Sequence, residues 1–259
     1  MNWLASFMGT LFGVNSPDYI GKQGEMLTAR TLRRVRFCWR DGKLLQNIYI
    51  PKPDGTTTEI DLIYITVKGI FVVESKNYSG YIFGSDKHPK WTATLYAGKD
   101  WLGRKRVEKN HFYNPVWQNQ AHIKFLKQFL GENIQTMSLI VFSDRCVFME
   151  IDASRPDLAI CKRSQVPQVM RGAWNYYPDV IDREKIEAIY KKLYPLTNAD
   201  EAIKNQHVQS IKSRLNSNDI CPRCGGKLVF RTAKTGVNIG KPFYGCSNYP
   251  KCRYIKNIE

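Results

Sequence analysis

Nothing in this 259-residue sequence is apolar for long enough to cross a bilayer, which takes about 20 consecutive apolar residues. The nearest approach is Met1 to Val14, uncharged and carrying Trp3, Leu4, Phe7, Met8, Leu11 and Phe12. It also lacks the basic start and small-residue cleavage site of a secretory signal. Leu4, Met8 and Leu11 can share one helical face. The preferred reading is a helix docked on its own domain. A membrane-surface helix is second, because its polar face has no Lys or Arg. Internal repeats are absent. Acid is scarce: 23 Asp and Glu face 39 Lys and Arg, a formal net charge of +16. That excess favours a polyanionic partner, nucleic acid first and anionic membrane second. The cysteines also argue against a disulfide framework. The seven Cys are odd in number, Cys38, Cys146 and Cys161 are scattered, and the other four crowd the C-terminus. That pattern fits a reducing compartment, the cytoplasm.

What is present begins with an ordinary globular balance, 43% hydrophobic and 24% charged, which argues against wholesale disorder. The length suits one sizeable core plus a small module. The chain is organised around Glu59 to Ile65, a Lys68-Gly69 turn, and Ile70 to Lys76. Both halves are apolar and β-branched, so they predict a β-hairpin in mid-sheet. Three ionisable residues interrupt it. Glu74 and Lys76 are two apart and project from one face. Antiparallel pairing about the turn brings Asp61 opposite them. A strong core strand therefore ends in an Asp/Glu/Lys cluster, where a metal and a scissile phosphate can meet. The plainer alternative is a Glu74–Lys76 surface ion pair on an edge strand. The apolar run Ile70 to Val73 argues against it.

Around the hairpin, Ser16-Pro17 reads as a helix start. The helix runs through Gly21-Lys-Gln-Gly24-Glu25 to about Arg36, with Ile20, Leu27, Thr31 and Val35 on one side. Gly21 and Gly24 weaken it, so they imply close packing or close approach of a ligand. Arg33, Arg34 and Arg36 suit the helix C-terminus or a nucleic-acid backbone equally. Strands are expected near Gln46–Ile50, Gly80–Phe83, Trp91–Tyr96, Ser138–Phe142 and Cys146–Met149. The basic stretch Gly98 to His111 reads as a loop for substrate contact. Asn114-Pro115 opens a second helix, closed by Gly131, with Gln118, His122, Phe125 and Phe129 on one side. Short helices are expected around Gln165–Arg171 and Asp182–Leu193. Together these predict an α/β domain, a mixed sheet flanked by helices. Residues 196–219 are polar and free of aromatics, a linker that is at most part helical.

The last forty residues contain Cys221-Pro-Arg-Cys224-Gly225-Gly226 and Cys246-Ser-Asn-Tyr-Pro-Lys-Cys252. Two residues separate the first pair, twenty-one lie between the pairs, and five separate the second. Four thiolates complete a tetrahedral Zn²⁺ shell with no open position, so the ion is structural rather than catalytic. So short a segment buries little core, and the metal supplies its folding energy. Four ordinary buried cysteines are the plainer alternative; the paired spacing and Gly225-Gly226 speak against it. Tyr244, Tyr249 and Tyr254 can stack on bases, or pack beside the zinc. Arg231, Lys234, Lys241, Lys251 and Arg253 can track a phosphate backbone.

On Cys221-Pro-x-Cys224-Gly225-Gly226 and Gly245-Cys246-Ser247-x-Tyr249-Pro250-x-Cys252-Arg253-Tyr254, this segment resembles the C-terminal zinc-finger repeats of bacterial type IA DNA topoisomerases. The resemblance implies a zinc-ribbon-like module that binds single-stranded DNA.

Phosphodiester hydrolysis needs a divalent cation on the scissile phosphate, an activated water and a cation to meet developing charge. Asp61 and Glu74 offer hard oxygens suited to Mg²⁺ or Mn²⁺, and the Ser75 carbonyl can add another. Lys76 can orient the water and stabilise the transition state. Alone this pattern is weak. With Gly21-Lys-Gln-Gly24-Glu25, Glu59-Ile60-Asp61, Glu74-x-Lys76 followed by Gly80, and Asn114-Pro115-x-x-Gln118, it resembles the NERD (nuclease-related) domain. That family is placed in the restriction-endonuclease-like superfamily named for PD-(D/E)xK. The resemblance spans roughly Asp18 to Tyr194. It implies a catalytic core of Asp61, Glu74 and Lys76, with Glu25 as a helix-borne acid completing the metal site and Gln118 nearby. The proline of the formal motif is replaced by Ile60. The expected organisation is an N-terminal apolar segment (1–17), a nuclease-like domain (18–195), a linker (196–219) and a zinc finger (220–259). The expected function is a metal-dependent nuclease acting on DNA, single-stranded or processed, with RNA still open. The alternative is a non-catalytic nucleic-acid-binding protein that keeps the fold.

Overall fold

The computed structural model describes residues 17–36, 42–99, 101–216, 220–221, 223 and 226–257. The expected helix at Met1 to Val14, and Cys38 and Cys224, lie outside them.

Helix α1 (Pro17–Arg36) precedes the antiparallel strands β1 (Lys43–Pro51), β2 (Thr57–Thr66) and β3 (Gly69–Lys76). These join β7 (Thr136–Phe142) and β9 (Leu158–Lys162) in a five-stranded mixed sheet, ordered β1-β2-β3-β7-β9. β3 pairs antiparallel with β2 and parallel with β7. It is therefore central, and the edge-strand alternative falls. Gly69, at φ 108°, closes the hairpin. A Cβ there would lie too close to the Gln135 carbonyl.

Each sheet face is covered. On one, Ala29 and Leu32 of α1 and Val166 and Met170 of α3 (Val166–Tyr176) pack on Leu62, Tyr64, Phe71 and Val73. On the other, Leu126 of α2 (Pro115–Leu130) and Ile189 of α4 (Arg183–Leu193) pack on Ile63, Ile65, Ile70 and Val72. The side chains of β3 thus alternate between the layers, as a strand's period of two requires.

A second sheet, ordered β6-β5-β4-β8, joins β4 (Gly80–Ser85), β5 (Lys90–Lys99), β6 (Lys105–Tyr113) and β8 (Cys146–Asp152). The expected loop at Gly98–His111 is instead the turn and second strand of the β5–β6 hairpin. Its strand character is not legible in the sequence because most residues of β6 are exposed, leaving no apolar alternation. The expected linker carries the helical part that the sequence left open: α5 (Glu201–Asn216) docks through buried His207, whose Nδ1 lies 3.0 Å from Thr57 Oγ1. His207 also stands edge-on to Tyr49, ring centres 5.6 Å apart, with Nε2 3.8 Å from Glu59 Oε2, so a polar anchor docks a helix that has no apolar stripe. In α1 the buried face is Thr28, Ala29, Leu32 and Val35, and Ile20 is exposed. The expected face was rotated by about one residue. Small strands β10 (Leu228–Thr232), β11 (Pro242–Cys246) and β12 (Ile255–Asn257) form a separate antiparallel sheet.

Candidate functional site

The hairpin register pairs Leu62 with Val73, so the next position brings Asp61 level with Glu74. Inward alternation slips here. Ile60 and Ile63 share one core cluster although three residues apart, as do Leu45 and Ile48 on the neighbouring strand. Asn47, between the latter two, has φ 51°. The slip frees Asp61 from the regular pleat, and its Oδ2 accepts the Ser75 N–H at 2.8 Å.

Glu74 and Lys76 face α2. Lys76 Nζ lies 2.7 Å from Glu74 Oε1 and donates to Gln118 Oε1 at 3.0 Å. Asn114 explains why Gln118 arrives there. Its Oδ1 caps α2 by accepting the Val116 N–H at 2.9 Å, while its Nδ2 donates to the carbonyls of Ser85 and His88. The helix start is thereby fastened to the second sheet. Asn119 Nδ2 fastens it to the first, donating to the Val72 carbonyl at 2.8 Å.

Glu25 comes from α1. Gly24 beside it has no room for a side chain: a Cβ would lie 2.6 Å from Asn77 Cβ. That close approach, with Thr28 Oγ1 2.9 Å from Ser75 Oγ, holds α1 against the end of β3. This is the close packing expected of Gly24; Gly21 has open space around it instead.

The electrostatics couple the acids. Burial raises the Glu25 pKa, and the charges of Glu59 and Glu74 raise it further. Burial also pushes Asp61 well above the usual carboxylate range, helped by Glu74 and Glu25. Glu74 is 1% exposed. Burial pushes it upward too, but Lys76 and His122 outweigh that and hold it low. Burial opposes the Lys76 charge, yet Glu74 and Asp61 prevail and raise its pKa. The outcome is an ionised Glu74–Lys76 pair beside acids that repel one another.

The sequence places His122 only on the Gln118 side of the helix. One turn further along α2, it is buried with Nδ1 2.7 Å from Thr58 Oγ1 and Nε2 3.3 Å from Glu74 Oε2. The latter approach is not aligned as a hydrogen bond, so Glu74 Oε2 is buried without one. The i, i+4 spacing of Gln118 and His122 was the available signal.

An under-satisfied carboxylate oxygen among mutually repelling acids is a donor set suited to a hard divalent cation. Among the described residues, however, only the cysteines bring three ligand atoms within 4.8 Å of one another. The Sγ atoms of Cys221, Cys246 and Cys252 do so, all buried. Cys221 Sγ and Cys252 Sγ are 3.7 Å apart, close to the roughly 3.8 Å edge of a tetrahedron with Zn–S of about 2.3 Å. The Asn248 N–H points at Cys246 Sγ, 3.4 Å away. These thiols fit zinc.

The base-stacking candidates divide. Tyr249 is 60% exposed, with the Arg231 guanidinium 5.9 Å from its ring centre. Tyr244 is half-buried, edge-on to exposed Phe230. Tyr254 packs against Trp117 of α2, the rings perpendicular at 6.2 Å, and the Arg223 guanidinium lies 5.2 Å from the same indole. Lys234, Lys241, Lys251 and Arg253 are exposed. No helix among the described residues is long and apolar enough to cross a membrane.

Two segments of the chain match known families. Residues 20–143 match the nuclease-related domain (NERD), and residues 218–259 match the topoisomerase DNA binding C4 zinc finger. An uncharacterized protein of Bacillus anthracis is 27% identical over 202 residues, 76% of this chain and 86% of its own. DNA topoisomerase 1 of Helicobacter pylori is 39% identical over 66 residues, 26% of this chain. The Methanocaldococcus jannaschii enzyme of that name is 54% identical over 40 residues, 15% of this chain. The chain spans only 8% and 5% of those two topoisomerases. No solved structure matches. By these matches the chain joins a region similar to the nuclease-related domain to a region similar to the topoisomerase C4 zinc finger.

Proposed function

We propose that the protein is a divalent-metal-dependent nuclease that hydrolyses DNA phosphodiester bonds and captures its substrate, single-stranded or processed, with the zinc ribbon. The observation that carries this reading is the Lys76 ammonium held between Glu74 Oε1 and Gln118 Oε1 at the end of the central strand, beside Asp61. Asp61, Glu74 and Glu25 would hold Mg²⁺ or Mn²⁺, which when bound neutralises phosphate charge and lowers the pKa of water. Lys76 keeps its proton at Nζ, positions the attacking water and meets negative charge as it develops on the phosphate. Gln118 accepts from Lys76 and so fixes the direction of the ammonium. Glu74, ionised beside Lys76, supplies the counter-charge that keeps a half-buried lysine protonated. His122 and Thr58 support Glu74 from the α2 side.

In the ribbon, Cys221, Cys224, Cys246 and Cys252 would hold Zn²⁺. Tyr249 and Tyr244 offer faces to unstacked bases, with Arg231, Lys241 and Arg253 for the phosphates. Thiolates serving in this way need a reducing compartment, which supports a cytoplasmic location.

A second reading, a nuclease fold kept for binding alone, draws on the spacing of the acids, which do not close to ligand distance as the thiols do. One experiment separates the two. Wild type and Lys76→Ala are compared for Mg²⁺-dependent cleavage of single-stranded, duplex and branched DNA. Cutting by wild type and its loss in the variant supports the nuclease. Equal DNA binding without cutting by either supports the binding protein.

A further inference from the structure

The second sheet buries only one of its faces. Ile82, Trp91, Ala93 and Phe112 point into the core. Residues directly opposite on adjacent strands share a face, so the register assigns the other side. Val147, Tyr81, Thr94 and Lys109 form one row across β8, β4, β5 and β6. Phe83, Thr92 and His111 form the next row, and Tyr96 with Val107 the row beyond Thr94. On this outward face Tyr81 is 49% and Tyr96 60% exposed. They are diagonal neighbours on adjacent strands, which spaces them by about 7–8 Å.

We propose that this outward face of β6-β5-β4-β8 binds single-stranded nucleic acid, with bases stacked on Tyr81 and Tyr96 and phosphates on Lys109 and Lys90. The site is separate from the zinc ribbon and does not rest on the nuclease reading. Charge selects the occupant. Lys90 and Lys109 share the face, are exposed, and make no ion pair among the described residues. Lys99 and Arg106 continue the positive charge toward the hairpin tip, where Trp101 is 90% exposed. The acids of the face, Glu150 and Asp152, sit at the far end of β8, and Asp152 is paired with Lys87 at 2.8 Å. An apolar protein partner would leave those lysines desolvated and unpaired. A duplex hides its base faces and has nothing to stack. A single strand offers both π-faces and phosphates, and antiparallel sheets bearing aromatics bind it in this way. The face also leads to the candidate active site. β4 begins at Gly80, four residues after Lys76. Between them exposed Arg145 donates from Nη2 to Asn77 Oδ1 at 3.2 Å.

The test uses the full chain and fluorescence anisotropy with labelled oligothymidylate and oligouridylate, and a blunt duplex of equal length as control. Tyr81→Ala with Tyr96→Ala should weaken single-strand binding by about tenfold for each tyrosine. Tyr81→Phe with Tyr96→Phe should keep wild-type affinity, because a phenyl ring stacks as well. The loss should multiply with that of the ribbon variant Tyr249→Ala, as for independent sites. Lys109→Ala should reduce the slope of log affinity against log salt by about 0.7. Comparing the two oligonucleotides tells DNA from RNA. The proposal is overturned by unchanged single-strand affinity in the double Ala protein. It is equally overturned by an equal loss in the Phe protein, or by an Ala protein whose only defect is in binding phosphatidylglycerol vesicles.

Discussion

Tyr254 of the zinc ribbon stands edge-on against Trp117 of α2, ring centres 6.2 Å apart, and Trp117 is the residue before Gln118. The C-terminal module therefore rests on the helix that delivers Gln118 to Lys76. Arg223 packs on the same indole, so two ribbon residues converge on one nuclease-domain side chain.

Removing a thiolate should dismantle that contact. Cys246→Ser is expected to lower zinc content from one per chain to none, because the ribbon buries little besides its cysteines and draws its folding energy from the metal. Metal analysis with a titration of accessible thiols checks this. A folded, zinc-free C-terminus would falsify the zinc assignment.

Lys76→Ala should slow cleavage by about 10² to 10³, the usual cost of one lost electrostatic donor. DNA affinity should hardly change, since one charge among many phosphate contacts is minor. Single-turnover rates set beside anisotropy titrations measure both. A variant that cuts at the wild-type rate removes Lys76 from the chemistry.

Asp61 is half-buried beside Glu74 and Glu25, and its raised pKa means that its charge is opposed in the fold. Without divalent cation, Asp61→Asn should therefore melt higher than wild type, by about 2–4 °C for each kcal/mol of repulsion relieved. The Asn carbonyl can still accept the Ser75 N–H. Added Mn²⁺ should raise the melting point of wild type, by about 2.7 kcal/mol in stability at a hundredfold excess over Kd, and raise the variant less. Calorimetry with and without Mn²⁺ tests this, and equal shifts in both proteins count against a metal at Asp61.

His122→Ala leaves Glu74 Oε2 and Thr58 Oγ1 buried without their neighbour. The expected cost is about 1–3 kcal/mol, together with slower cleavage. His122→Asn, which can still donate and accept, should recover part of each. Urea unfolding and cleavage rates are the measurements. A rate loss with unchanged stability places His122 in the chemistry rather than in support of Glu74.

Gly24→Val places a side chain where Asn77 already sits. Overpacking of this kind costs about 1–3 kcal/mol, and the displaced α1 carries Glu25 away from Glu74. A lower melting point with slower cutting is expected, whereas Gly21→Ala, with open space around it, should be close to silent.

Truncation before Ile220 should weaken single-strand binding and flatten its salt dependence, because fewer counterions are released. Titrations at several salt concentrations decide. An unchanged slope would mean that the ribbon serves as a docking piece.

Much of the site was legible in the primary structure because its determinants are local. The short Lys68-Gly69 turn sets the register that brings Asp61 level with Glu74, and the period of two turns Glu74 and Lys76 to one face. Asn114-Pro115 and Gly131 bound α2 by capping rules that need no tertiary partner. The cysteine spacing announces four-thiolate coordination by itself. Other features were decided by contacts between segments far apart in the chain. His122 meets Thr58 across 64 positions, and nothing in its helical surroundings separates a histidine that meets a buried carboxylate from one that is merely packed. The β5–β6 hairpin and α5 carry too little apolar alternation to declare themselves, since each is stabilised by neighbours rather than by a hydrophobic stripe of its own. Tyr254 was equivalent to Tyr249 as a stacking residue until the fold set one against Trp117 and left the other in solvent. Spacing along the chain specifies which side chains share a turn or a strand face. Only the folding of distant segments onto one another specifies which of them are buried, and against what charge.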